Sequence, residues 1–563
     1  MVHRIGSLSR TYRHITRYRE IIRVLVKHGF GDLVTRSNLE RYVDRGRKLL
    51  PGQDDRKIAS LSRWERIRMV LEELGPTFIK FGQIMSNRPD LVPQELIAEL
   101  AKLQSDVPPF SDAEARDLIE EELDRPISEI FAEYSPTPIA SASIAQVHKA
   151  TLLNGEEVAI KVQRPGIEQI IKTDLEIMFD LAALMEKHIQ EMDILHPVSV
   201  VVEFERSINK EIDFTIEATS IERFGRNFQD ETTIYVPKVY RDYSTSKVLT
   251  MEFIDGVKAS SAEVLINAGL DPKLLASRGA DLVLKQVFEH GFFHADPHPG
   301  NMVALPGNVV CFLDFGMMGG ISPAHREALS NILVGIVNQD AASITKTVLK
   351  LAHNQYIEDA EQLEYEIYEL LEQYSYRSLK SVNMGVMLNQ MVTLVVKHRL
   401  KIPPNFSLIS KALITIEGVG RVLDPDFDMV KHTEPFAKKL LSERLNPLKL
   451  TKDFYLSAID LSILLRDLPA QTREILTQIK EGRTRIEFEH RGLDPMLKTH
   501  ERISNRISFS IVLSSLIVGS ALIMRADIPP NVYGVPIIGA LGFVAAGVMG
   551  FWLLISILRH GKM

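Results

Sequence analysis

One cysteine, Cys311, in a chain of 563 residues excludes an intramolecular disulfide and any multi-cysteine zinc or iron–sulfur site, which fits a reducing compartment. It lies in an apolar run and reads as core. An excess of one charge is lacking too. The 66 Lys and Arg against 73 Asp and Glu leave a net charge of −7, which argues against a dedicated nucleic-acid binder. No G-x-S-x-G elbow marks a serine hydrolase. No strand-borne G-x-G-x-x-G marks a dinucleotide site, which counts against a flavin-dependent hydroxylase. The first 30 residues hold no uninterrupted apolar stretch of the kind a secretory signal requires. With no organelle leader either, the expected source is bacterial.

Two long uncharged runs are present at the far end. Residues 507–524 carry no charge over 18 positions and residues 535–558 none over 24. A helix rising about 1.5 Å per residue crosses a hydrocarbon core roughly 30 Å thick with runs of this length. Pro529 and Pro530 mark a turn between them, so a transmembrane hairpin is expected. Ser515 and Gly519, and Gly542, Ala546 and Gly550, place small residues at every fourth position, where two helices pack closely. Arg502 and Arg506 before the first run, and Arg559, His560 and Lys562 after the second, put both ends on the cytoplasmic side, with Arg525 weakening the contrast. The opposite end is basic: residues 1–50 hold 12 Lys and Arg and 4 acids. That segment reads equally as a helix lying on an anionic membrane and as a solvated helix face.

The length implies two or more structural units. Residues 60–125 read as helical, with Gly75-Pro76 ending one helix and Arg88-Pro89 another. Asn154-Gly155 between two β-rich runs predicts a hairpin with a type I′ turn. Residues 167–228 read as helical and charged, residues 235–256 regain strand character, and helices dominate from 275. A second hairpin is expected around Pro306-Gly307.

The segment from 294 to 316, HADPHPGNMVALPGNVVCFLDFG, concentrates the chemistry. His294, Asp296 and His298 alternate, but Pro297 and Pro299 break the strand that zinc ligation from one face would need. Phosphoryl transfer uses the whole segment. His294, Asp296 and Asn301 spell H-x-D-x-x-x-x-N, and Asp314-Phe315-Gly316 follows as D-F-G. In that reading Asp296 holds or deprotonates a hydroxyl or water, while Asn301 and Asp314 ligate Mg²⁺ through oxygen. Upstream, V-A-I-K ends on Lys161, the expected phosphate-pairing lysine. The backbone of Glu252, Phe253 and Ile254 is placed to read adenine. A glycine-rich loop is missing: Ala140, Ser141, Ala142 and Ser143 stand there, so nucleotide handling should differ from that of a conventional kinase.

With these elements in order, the chain resembles the UbiB family of atypical kinases or ATPases, also called ADCK or AarF, over roughly residues 60–430. K-x-G-Q is matched by Lys80, Gly82 and Gln83, the alanine-rich loop by Ala140 to Ser143, and E-x-D by Glu211 and Asp213. The resemblance implies an α+β protein-kinase-like bilobal fold, helix-rich, with an N-terminal helical extension and a C-terminal transmembrane hairpin. The expected boundaries are 1–59 basic segment, 60–130 extension, 131–255 small lobe with helical insert, 256–430 large lobe, 431–506 helical linker and 507–558 hairpin. It further implies that the extension folds over the active site and disfavours phosphorylation of proteins in trans. Glu217 would pair Lys161, leaving Glu211 and Asp213 to meet Lys80; Glu203 and Glu205 remain rivals for the lysine. Lys80 and Gln83 share a helix face at i, i+3. Glu211 and Glu217, about 120° apart around one helix, cannot serve one partner equally. Ala295 replaces the catalytic-loop arginine, and His298 stands where protein kinases commonly carry lysine; both resemble small-molecule kinases.

The resemblance implies ATP or ADP with Mg²⁺ as cofactors. It implies membrane lipids, a prenylated aromatic quinone precursor and quinone-biosynthesis enzymes as partners, with no nucleic acid, at the cytoplasmic membrane. Two readings stand: a membrane-anchored ATPase or lipid kinase supporting isoprenoid-quinone synthesis, and a nucleotide-binding scaffold that transfers no phosphoryl group.

Overall fold

The computed structural model describes residues 16–31, 61–86, 91–103, 108–188, 197–352, 359–375, 383–398, 405–444, 493–526 and 535–560, with scattered single positions besides. The chain divides into two compact units, Met1–Leu450 and Thr451–Met563.

Local signals start and stop the first helices. Ser62 and Glu65 form a reciprocal capping box ahead of the helix Arg63–Leu74. Gly75, at φ 93°, breaks it, and Pro76 opens the helix Pro76–Met85 at the position where its missing N–H costs nothing. Of the basic N-terminal segment, residues 16–27 are a described helix. Its apolar face is not free to lie on a membrane. Tyr18, Ile21 and Val24 are packed with Leu71, Leu74 and residues of the helix Ile167–His188. Arg17 bonds Asp174 at 2.8 Å and the Leu74 carbonyl at 2.7 Å.

The small lobe is an antiparallel sheet in the order Phe131–Tyr134, Ala145–Leu152, Glu157–Gln163, Val248–Glu252, with Ala140–Ser141 pairing the second strand. The expected hairpin is there, with Val147 opposite Lys161. Its turn is not type I′. Among the described residues Asn154 is not at positive φ, Gly155 is at 87°, and the Gly155 N–H donates to the Leu152 carbonyl at 2.9 Å. One left-handed residue suffices, because the loop takes an extra position before the strands pair. The helices Ile167–His188, Pro197–Ile212 and Phe214–Asn227 form the insert.

The large lobe holds a four-stranded sheet, ordered Ile234–Tyr235, Val309–Phe312, Met302–Leu305, Val257–Lys258, and a two-stranded pair of Phe292–His294 with Met318–Gly320. The second expected hairpin turns at Gly307 and Asn308, both at positive φ. Helices from Pro272 to Arg444 pack around these strands in one continuous apolar core.

In the second unit, the helix Leu493–Arg525 runs unbroken across the expected boundary at 506 and packs against Ile537–His560 as a hairpin. Segments Ile503–Arg525 and Ile537–Leu554 are long and apolar enough to cross a membrane. The small-residue contact differs from the spacing expectation. A Cβ on Gly542 would lie 2.1 Å from Ser520 Oγ, whereas one on Gly519 would meet nothing within 4 Å. Half of the expected 431–506 linker lies outside the described residues.

One close approach fixes the large lobe near the cleft. Gly385, on the helix Met384–Lys397, faces the helix Asn405–Leu423 so closely that a Cβ would lie 2.5 Å from the Ile414 backbone nitrogen. Backbone cannot yield as a flexible side chain does. Gly385→Ala is therefore expected to destabilise the protein by about 1–3 kcal/mol, read as a lowered thermal midpoint of the full chain in detergent. An unchanged midpoint would refute the crossing.

Candidate active site

Lys161 is the fifth residue of the strand Glu157–Gln163, where alternation turns it from the buried positions Ile160 and Val162 into the cleft. Its Nζ donates to both Glu217 oxygens, at 3.0 and 2.8 Å, and lies 3.4 Å from Asp314 Oδ1. Two carboxylates thus share one cation. Burial works to lower the Lys161 pKa, but Asp314 and Glu217 outweigh it and hold the ammonium charged. Lys161 in turn holds Asp314 well below the usual carboxylate range, against its own desolvation. Glu217, only 4% exposed, is pushed by burial up to about 7, with Lys161 opposing and Asp314 adding to the rise. Asp314 is deep in the protein yet opens to cleft water, its side chain 49% exposed, so its pairing is partly screened.

The catalytic-loop and D-F-G segments are tied together by His294. The Asp296 N–H donates to His294 Nδ1 at 3.1 Å, so the proton of a neutral imidazole resides on Nε2, which donates to the Asp314 carbonyl at 2.6 Å. Burial lowers the His294 pKa and favours that neutral form. Gln286 Oε1 accepts the His294 N–H at 2.8 Å. The hairpin register brings Asn301 beside the D-F-G turn, with the Leu313 N–H donating to the Asn301 carbonyl at 3.0 Å. Gly316 N–H and Phe315 N–H are accepted by Asp314 Oδ1 and Glu217 Oε1, at 3.0 and 3.3 Å. Phe315, fully buried, meets Phe224 of the Glu217 helix edge to face, centroids 5.2 Å apart.

One cleft of about 940 Å³ is lined by Lys161, Glu217, Asp296, Asn301, Asp314, Ala140 to Ser143, Glu252 to Ile254, and the extension residues Lys80 and Gln83 with Glu211. Lys80 is ion-paired with Glu211. The rival Glu203 bonds Arg88 at 2.9 Å instead of Lys161. Gly82 is not itself part of the cleft lining: a Cβ there would collide with Leu71 and with Leu100 and Leu103, which do line it. Asp213 departs from its expected role: it caps the helix Phe214–Asn227, accepting from the Thr215 N–H at 3.0 Å. The extended backbone at this cap also separates Glu211 from Glu217 onto two helices, so their division does not come from angles around one helix.

The alanine-rich loop is a tight hairpin. Ala140 pairs Val147, the Ala142 N–H donates to the Ala145 carbonyl at 2.8 Å, and the Arg164 N–H ties down the Ile144 carbonyl at 2.7 Å. At Glu252 to Ile254, the expected hinge between the lobes, the Glu252 and Phe253 amides are already donated to the carbonyls of Lys238 and Glu157, while the Glu252 side chain bonds Tyr235 Oη. Among the described residues no three of His, Cys, Asp and Glu gather into a metal cluster. The oxygen donors of Asn301 and Asp314 suit Mg²⁺, which takes one or two protein ligands and completes its shell with phosphate and water. Sequence reasoning missed two elements: the bridging by His294, and a wall of Asn389, Ser407, Lys411 and Ile414. No local motif marks that wall; only the i, i+4, i+7 spacing of Ser407, Lys411 and Ile414 hints at a shared face.

Three family models match the chain: the ABC1 atypical kinase-like domain over residues 102–348, the UbiB helical domain over 367–428 and the ABC1/UbiB kinase-like C-terminal domain over 491–559. A Clostridium pasteurianum protein, described only by its place in the 5′ region of hydrogenase 1, is 35% identical over 98% of this chain and all of its own. A Marinobacter nauticus "Probable protein kinase UbiB" is 35% identical over 82% of this chain and 85% of its own. A Mycobacterium tuberculosis protein solved with erythromycin aligns at 24% identity and a TM-score of 0.41, over 70% of this chain and 99% of its own.

Glu217 generates a pH prediction. Its folded pKa, about 7, lies above the ordinary value of the unfolded chain, so its contribution to stability is fully present near pH 4 and is lost as pH rises through 7. Glu217→Gln cannot titrate there. The stability of wild type relative to this variant should fall between about pH 5 and pH 8, in thermal unfolding without nucleotide. A constant or rising difference would contradict it.

Proposed function

The chain belongs to the ABC1/UbiB family of atypical kinase-like proteins, and from that premise we propose that it is a membrane-anchored, Mg²⁺-dependent ATPase or small-molecule kinase supporting isoprenoid-quinone synthesis. The observation that carries the reading is the charge network of Lys161, Glu217 and Asp314 facing Asp296 and Asn301 across one cleft. In this proposal Lys161 pairs the nucleotide phosphates, Ile254 reads the base edge, and Asn301 with Asp314 holds Mg²⁺. The metal, when bound, neutralises phosphate charge. Asp296 orients the acceptor, a water or a hydroxyl, and receives its proton.

The acceptor is small or lipidic rather than a folded protein, because Lys80 and Gln83 of the extension line the same cleft as Asp296. A prenylated phenol suits both the cleft and a chain with two apolar helices whose large side chains, among them Leu522, Val544 and Phe551, are exposed. Such faces are costly in water and stable in lipid. The large unit would then face the cytoplasm, with the anchor at the inner membrane.

The test is Mg²⁺-dependent phosphate release from ATP by the full chain in anionic liposomes, with and without a prenylated phenol. Release that rises with lipid and phenol, and falls by about 100-fold or more in Asp314→Asn, is expected. Nucleotide binding without release would replace this reading by a scaffold.

A further inference from the structure

The helix Asn405–Leu423 forms a wall of the cleft that the kinase-like motifs leave unused. Ser407, Lys411 and Ile414 share one of its faces and line the cavity that holds Asp296 and Asp314. Lys411 Nζ stands 3.2 Å from Asp296 Oδ2. The helix is held from several sides. The Asn405 amide donates to the Gly320 carbonyl just beyond the D-F-G turn, and buried Glu417 accepts the Met384 N–H at 3.1 Å and Arg421 at 2.8 Å. Lys411 is therefore a cation delivered to the catalytic aspartate by a rigid element.

The other charges show what it is for. Lys80 is engaged by Glu211, and Lys161 by Glu217 and Asp314. Lys258 stands just beyond the hinge, at the base-reading end. In the catalytic loop, the place of the usual lysine is taken by His298, whose Nδ1 accepts the Gly300 N–H at 3.0 Å and so shapes the turn into Asn301. Resting on the phosphoryl-transfer reading above, we propose that Lys411 supplies the γ-phosphate-stabilising charge that the loop lacks. Without a γ-phosphate it neutralises Asp296; with one, it turns to the phosphoryl oxygens and leaves Asp296 free to accept a proton. In the step itself the acceptor oxygen bonds the γ-phosphorus as the bond to the bridging oxygen breaks. ADP departs with that electron pair, and the acceptor proton passes to Asp296.

The proposal separates ADP from ATP and is tested on that difference. Mg-ADP and a Mg-bound non-hydrolysable ATP analogue are titrated into the full chain in anionic liposomes, for wild type, Lys411→Ala and Lys411→Arg, with phosphate release measured in parallel. Lys411→Ala should bind Mg-ADP within about twofold of wild type, which also reports an intact site, and bind the analogue about tenfold more weakly. Its turnover should fall by about thirtyfold or more, and Lys411→Arg should recover most of both losses. Equal shifts for the two nucleotides, or none for either, would overturn the assignment. A wild type that releases no phosphate ends the phosphoryl-transfer reading, whereas the comparison of the two nucleotides still decides the place of Lys411.

Discussion

A single lysine serving two carboxylates is the constraint around which the rest of this structure is arranged. Lys161 belongs to a strand of the small lobe, Glu217 to a helix of the insert, and Asp314 to the D-F-G turn. Taking charges such as those of Lys161 and Glu217 out of water is costly, and removal of one partner leaves the others uncompensated. The three elements must therefore stay together, and each is braced: the strand by partners on both sides, the helix by Phe224 against Phe315, the turn by His294. One positive charge for two negative ones also leaves the site short of a cation. Glu217 meets the shortfall by holding its proton more tightly, and the open side of Asp314 suits a divalent ion.

Around this centre, elements outside the sheets of the two lobes bring further charges. The extension brings Lys80 to Glu211, and the helix Asn405–Leu423 brings Lys411 to Asp296. Arg88 takes Glu203 out of competition for Lys161. A cleft walled on these sides is the feature on which the proposal of a compact or flexible acceptor, rather than a folded polypeptide, rests.

Much of this was legible because its signals are local. Lys161 follows a hairpin that Asn154-Gly155 announces, and Asp296, Asn301 and Asp314 lie within one short segment whose spacing places them at two adjoining strand ends. The left-handed glycine specifies a turn in either form, so the hairpin was predictable and its type was not. Asp213 misled for a related reason. Its carboxylate reads as one more acid on a charged helix, but an aspartate that caps the next helix satisfies two donors locally and breaks the chain's direction.

The sequence by itself determined most of the elements and their order, the two apolar helices and the short-range residues of the candidate site, since periodicity, caps and turns act over a few residues. Only the tertiary structure decided which acid pairs with which base. Glu203, Glu205, Glu211 and Glu217 are equivalent in composition, and an ion pair is selected by the packing of whole helices. The same holds for Lys411, which no motif marks and which reaches Asp296 from a helix held in place by several elements distant in sequence. Long-range pairing of charges is a property of the folded core, and no local pattern encodes it.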